Sequence, residues 1–151
     1  MQRDAEILEW RRGEHTISTD PALLDLDLVH RFLSEEAYWS SGVDRETVER
    51  SIEHSIAFGL YRGAEQVGFA RVVTDRAAIA YLADVFVLSD ERGGGLGKWL
   101  VETVLSHPDL RDLRVFFLGT ADAHSLYERY GFRPVDPARM MERRGPLDSP
   151  A

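Results

Sequence analysis

Two periods of apolar and polar residues alternate along the chain, and the switches between them outline its elements. "HTIST" (15–19) alternates as a short strand does, and with "EILEW" (6–10) it predicts a hairpin turning at Arg12-Gly13. "STDPALLDLDLVHRFLSEEAYW" brings a cap, a proline and a dense apolar pattern, which predicts a helix over 21–36. Ser41-Gly42 end that helix, and Asp44 caps a second one, along which Val48, Ile52 and Ile56 recur every four residues. From Ile56 the period drops to two. "IAFGLYRGAEQVGFARVVTD" predicts two strands around a turn at Arg62-Gly63, and "AAIAYLADVFVL" a longer third, so that the three form an antiparallel meander. After a run of glycines, Leu96, Leu100 and Val104 mark the apolar face of a helix that Pro108 ends. "LRVFFLGT" is the next strand and "ADAHSLYERY" a short helix; "GFRPVDPARMMERR" predicts one or two closing strands.

No repeat, linker or low-complexity segment divides this series, so the pattern describes one α/β domain over 1–144, with 145–151 as a frayed tail. A length of 151 residues with 44% hydrophobic side chains suffices for a single core. No run of eighteen apolar residues occurs, and the charged start "MQRDAEILEWRRGEH" has no apolar segment behind it; a cytoplasmic protein with no membrane partner is expected. Zero cysteines exclude disulfides, thiolate metal sites and a cysteine nucleophile, and five scattered histidines without an HExxH pair argue against a metal. A formal charge of -8 opposes a nucleic-acid partner, which needs a clustered basic surface. It leans toward a cationic substrate, although the same acidity also keeps an ordinary protein soluble.

The densest chemistry lies in "DVFVLSDERGGGLGKWLVETVL" (84–105), where a strand, four glycines and a helix follow one another. That geometry binds phosphate: amide N–H groups converge, the helix presents its positive end, and missing side chains admit an anion. A P-loop would need glycine where Arg92 stands and serine or threonine where Trp99 stands. A dinucleotide fingerprint would need its third glycine at Leu100 or at Lys98. Both motifs fail. A flexible surface loop would account for the glycines but not for the strand and amphipathic helix that flank them.

Arg92-Gly93-Gly94-Gly95-Leu96-Gly97 resembles the R/Q-x-x-G-x-G/A signature of the GNAT superfamily of acyl-CoA-dependent N-acetyltransferases, and "HSLYERYGFRP" resembles that family's LYxxxGF segment. The matching motifs cover roughly 84–134, and the element order is similar to the family's fold over most of the rest. The resemblance implies a central, mostly antiparallel mixed sheet of six or seven strands flanked by about four helices. It further implies acetyl-CoA as cosubstrate and acetyl transfer to a primary amine, on a small molecule or a peptide, by direct attack in a ternary complex. An idle acyl-CoA-binding sensor, or an enzyme of this fold using another acyl chain, is the alternative. Dimers occur often in the family, which leaves a homodimer open.

Site residues follow from the same resemblance. Gly93, Gly94, Gly95, Leu96, Gly97 and Lys98, with Arg92, would hold the coenzyme A diphosphate; Lys98 either adds a charge contact or is a solvated lysine on a first helical turn. The backbone of Val85, Phe86 and Val87 would pair with the pantetheine arm, their side chains serving the core. Tyr127, at the tyrosine of the LYxxxGF segment, is the candidate proton donor to the thiolate, because a phenol of pKa near 10 can protonate one. Its plainer reading is packing on its own helix, and Tyr130 is assigned to packing. A base must accept the amine's proton, and a carboxylate acting directly or through water would serve. Asp84, a lone acid in "AYLADVFV", is the first candidate, with burial expected to raise its pKa; Asp122 and His124 are lesser ones. Where many family members carry asparagine this chain has Thr120, whose hydroxyl replaces part of an amide's bonding to the cofactor. Tyr38 and Trp39 lie between the early helices, a region that usually shapes the acceptor pocket. Their rings either enclose a cationic amine or anchor the first helix. Glu35 and Glu36 read as a solvated helix end.

Overall fold

The computed structural model describes residues 6–145, which fall into two compact units, one ending at Gly119 and one beginning at Thr120. Six strands lie in the first unit, in the order they leave the chain: β1 (Glu9–Arg12), β2 (His15–Ser18), β3 (Ile56–Arg62), β4 (Glu65–Thr74), β5 (Ile79–Val87) and β6 (Val115–Leu118). The first five pair antiparallel and β6 joins β5 in parallel, so the sheet is mixed and the fold class α/β, as expected. The β1–β2 hairpin and the Arg62-Gly63 turn form as the sequence predicts, with Gly13 and Gly63 both at positive φ.

The helix expected over 21–36 is broken into pieces. A single 3₁₀ turn covers Pro21–Leu23, α1 covers Leu26–Arg31, and the chain then widens into a π-helical turn over Phe32–Glu36. Two aspartates act as caps, Asp20 at the expected start and Asp25 inside the expected helix, which it interrupts. Asp20 Oδ1 accepts from the Ala22 N–H at 3.0 Å, and Asp25 Oδ1 from the Leu28 N–H at 3.0 Å, so each caps its own short segment. Asp25 is also held from outside, its N–H donating 2.7 Å to Oε1 of the buried Gln66. α2 (Arg45–Glu53) starts at the predicted Asp44 cap, whose carboxylate accepts from the Thr47 N–H at 2.8 Å. It stops short of Ile56, which opens β3 instead.

Alternation along the strands sends side chains to two layers. On one face, Ala57, Phe69 and Phe86 pack with Val29, Phe32, Leu33, Ala37, Val48 and Ile52 of the α1–α2 region. Phe32 and Phe86 stack with ring centroids 3.9 Å apart. On the other face lies α3 (Leu96–Ser106), which buries Leu100, Val101 and Val104; its cap His107 meets Phe58 edge to face at 5.8 Å.

In the second unit, α4 spans His124–Glu128. The one or two closing strands expected over 131–144 do not form. Pro134 and Pro137 interrupt the segment, and Asp136 nucleates a turn instead, accepting on its carboxylate from the Ala138 N–H at 2.9 Å and on its carbonyl from the Arg139 N–H at 2.9 Å. The tail expected from 145 onward lies, beyond Gly145, outside the described residues. No helix among the described residues is long and apolar enough to cross a membrane.

Candidate active site

Two irregularities of β5 shape the site. β6 pairs with it only from Ile79 to Leu82, opposite Val115 to Leu118, so the Ala83–Val87 stretch runs on beyond its parallel neighbour. The backbone groups of Val85, Phe86 and Val87 on that side therefore have no β6 strand to pair with, which is the free edge an extended ligand would use. On the opposite edge the register with β4 slips: Phe69 faces Phe86, but Arg71 faces Ala83, so β5 carries one residue more than β4 between those pairs. This is a β-bulge, and Asp84 sits in it at φ 55, in the left-handed region. Aspartate tolerates that conformation better than most residues, which explains a lone acid in an apolar strand.

The Asp84 carboxylate has two partners. Oδ2 accepts from Arg71 Nε at 2.9 Å, with both side chains largely buried, and Oδ1 accepts from the indole Nε1–H of Trp39 at 3.0 Å. Arg71 in turn donates 3.1 Å to Ser55 Oγ, and Ser55 Oγ donates 2.6 Å to the Ser51 carbonyl at the end of α2. Trp39 and Tyr38 form an exposed edge-to-face pair with centroids 5.2 Å apart, on the turn that follows the π-helical segment. The structure thus joins Asp84 and Trp39, two residues singled out separately in the sequence. It adds Arg71 and Ser55, which were missed. Arg71 had left a signal, being the lone charge within "VGFARVV".

The glycine turn leaves the end of β5 through a 3₁₀ turn at Ser89–Glu91. Arg92 folds its side chain back, Nε donating 2.9 Å to the Val87 carbonyl, and the Leu88 N–H donates 2.8 Å to the Val67 carbonyl. Gly93 and Gly95 have φ of 92 and 81, which few side-chain-bearing residues adopt. Gly95 is the N-cap of α3 and offers no side-chain cap, so the first-turn amides of Leu96, Gly97 and Lys98 have no partner within the helix. Lys98 is exposed.

Gly97 is informative for a different reason. Its φ is ordinary, a Cβ there would meet no protein atom within 4 Å, and it lies inside a helix where glycine costs about 1 kcal/mol relative to alanine. Neither backbone conformation nor internal packing requires glycine at 97. The open space above Gly97 leaves room for an anion to approach the helix end closely. Beside this turn a cleft of about 250 Å³ opens between Arg12, His15, Asp90, Glu91, Arg92, Gly94 and Leu96.

In the second unit Tyr127 is buried, and its ring meets Phe132 edge to face at 5.9 Å. Burial, helped by the negative charge of Asp122, pushes the phenol pKa above its ordinary value, so the hydroxyl stays protonated throughout the neutral range. Thr120 Oγ1 accepts from the Ala123 N–H at 3.0 Å and fixes the entry to α4. Asp122 and His124 are exposed.

Residues 53–134 match the family model described as an acetyltransferase (GNAT) domain. A protein of Gibberella zeae, named as a candidate acetyltransferase, is 33% identical, the match covering 82% of this chain and 82% of that protein. Among solved structures, a candidate acetyltransferase of the GNAT family from Xanthomonas campestris pv. campestris is 49% identical, with a TM-score of 0.84 covering 87% of this chain and 94% of that one. A GNAT family acetyltransferase from Elizabethkingia anophelis, solved with acetyl-CoA bound, has the same fold at 18% identity and a TM-score of 0.62, covering 83% of this chain and 80% of that one.

Proposed function

The chain belongs to the GNAT acetyltransferase family, and on that premise we propose that it moves the acetyl group of acetyl-CoA to a primary amine, on a small molecule or a peptide, by direct attack in a ternary complex. The observation that carries this reading is the pairing of a β5 edge that outruns β6 with a left-handed glycine turn at the start of α3. The first suits an extended pantetheine arm and the second a diphosphate. The acetyl-CoA bound in the Elizabethkingia structure supports the same choice of cosubstrate by likeness of fold.

In this mechanism Arg92, Gly93, Gly94, Gly95, Leu96, Gly97 and Lys98 form the diphosphate cradle, with Thr120 as a further cofactor contact. The amine nitrogen, once neutral, forms a bond to the thioester carbon, and the developing oxyanion is stabilised by a main-chain amide of the Val85–Val87 edge. The C–S bond then breaks with its electron pair passing to sulfur. Tyr127 supplies the proton that sulfur needs, and its raised pKa keeps that proton available at neutral pH. The proton released by the amine passes to Asp84, directly or through water. With two donors already on its oxygens, the carboxylate keeps further lone pairs for that transfer. Tyr38 and Trp39 border the acceptor.

Gly97→Gln separates binding from folding. A strong helix former in place of an exposed-side glycine is expected to raise stability by about 0.5–1 kcal/mol. The same side chain intrudes on the diphosphate and should weaken coenzyme A binding by calorimetry on the order of tenfold or more. Undiminished affinity in that variant would remove the cradle from the account. For the chemistry, Tyr127→Phe should lower kcat by roughly 10²-fold or more with KM for acetyl-CoA little changed. A wild-type protein that binds coenzyme A yet acetylates no amine in a broad panel would be a sensor instead.

A further inference from the structure

Glu91 is a largely buried carboxylate that the transfer chemistry does not use. Its side chain is 8% exposed, and each oxygen has a partner on a different strand: Oε1 lies 2.9 Å from Arg62 on β3, and Oε2 lies 3.3 Å from His15 Nε2 on β2. His15 and Arg62 are themselves directly opposed across the β2–β3 ladder. One carboxylate therefore bridges a cross-strand pair from a position two residues before Gly93. Its neighbour Arg92 reaches the other way, to the Val87 carbonyl at the end of β5.

We infer that Glu91 is a positioning residue for the glycine turn, pinning its upstream end to the β2–β3 edge so that the amides between Arg92 and Lys98 are held in the conformation that receives a diphosphate. The inference rests on the coenzyme A reading above. The physical need is plain. Consecutive glycines lose more conformational freedom on ordering than any other sequence, and a cradle of main-chain amides binds only while it is formed. The downstream end is fixed by α3, through the buried Leu96 and Leu100. The upstream end has a weaker apolar anchor: Leu88 is only half-buried against the core, the Ser89–Glu91 turn contains no apolar residue, and Arg92 is exposed. The two ties of Glu91 and the backward bond of Arg92 fill that role. If the turn is formed for only a fraction of the time, apparent affinity falls by that fraction.

Charge and position predict opposite signs, which makes the test decisive. Removing a carboxylate beside an anion site, with Arg62 and His15 left in place, should tighten coenzyme A binding if Glu91 acted only through its charge. The positioning role predicts that Glu91→Ala weakens coenzyme A binding about tenfold by calorimetry and raises KM for acetyl-CoA by the same factor, with kcat at saturation within about twofold. Glu91→Gln, which retains an acceptor for Arg62, should lie between, and it stands in should the alanine variant not fold. Amides 92–97 should exchange hydrogen faster in both variants. Arg62→Ala should weaken binding in the wild-type background and add little to Glu91→Ala. Equal or tighter coenzyme A binding by a folded Glu91 variant overturns the inference. Absence of coenzyme A binding by the wild-type protein would instead sink the functional reading on which it stands.

Discussion

Substitutions at Asp84 offer a test in which backbone, charge and chemistry can be separated at one position. The residue combines a left-handed backbone, φ 55, with a largely buried ion pair to Arg71 and an indole donor from Trp39. Asp84→Asn keeps an acceptor oxygen and a residue type that tolerates this backbone, so its cost is the charge-assisted part of the bond to Arg71. Side-chain exposures of 17% and 12% discount the full value for an enclosed pair, leaving about 1–2 kcal/mol. Asp84→Ala loses both bonds and also forces a Cβ-bearing residue without a compensating side-chain bond into the left-handed region, adding about 1–2 kcal/mol. Asp84→Gly loses the same bonds but none of the backbone compatibility. Glycine should therefore be more stable than alanine here by about 1 kcal/mol, the reverse of the usual order inside a strand. For a chain of this size each kcal/mol moves Tm by about 2–4 °C. Thermal unfolding then ranks the variants wild type, Asn, Gly, Ala, with Gly and Ala resolved by a few degrees. An alanine variant as stable as the glycine one would refute the bulge geometry. Turnover by the same proteins reads the chemistry: loss of kcat by roughly 10²-fold or more in folded Asp84→Asn fits a base, while wild-type kcat restricts Asp84 to holding Arg71 and Trp39 in place.

Three other outcomes are expected. Burial pushes the His107 pKa below its ordinary value, with Asp109 opposing and Arg76 adding to the shift, so the unfolded chain takes up this proton first on acidification. Stability should be unaffected by this group above about pH 6.5 and fall below it, and His107→Gln should flatten the dependence of Tm on pH between about 7 and 5. Gly59→Ala would place a Cβ 2.5 Å from Cζ of the buried Tyr61 and should cost about 1–3 kcal/mol in denaturant unfolding. Gly95→Ala, at φ 81 on the N-cap of α3, should weaken coenzyme A binding about 5- to 30-fold by calorimetry, matching about 1–2 kcal/mol of left-handed strain.

The sequence by itself determined the order of most elements and the location of the glycine turn, because those depend on signals a few residues long. Short apolar runs rich in strand-forming residues over 56–62, 65–74 and 79–87, glycine at the Gly13 and Gly63 turns, and the Asp44 cap each act locally, and each is legible without the rest of the chain. Where short-range signals compete, the reading failed. A dense apolar pattern over 21–36 suggested one helix, but Asp25 caps a new segment from within it, and the Asp25 amide is drawn to Gln66, 41 residues away. The closing strands failed likewise, to two prolines and the Asp136 turn.

Tertiary structure alone decided how the site is assembled. That β6 stops opposite Leu82 and leaves the end of β5 unpaired depends on register between strands separated by a helix. That Asp84 meets Trp39 and Arg71 depends on contacts spanning 45 and 13 residues, and the Glu91 tie to His15 spans 76. No local propensity encodes such distances. They exist only once the ladder has fixed which residues stand side by side, and the chemistry of the site is set by those neighbours.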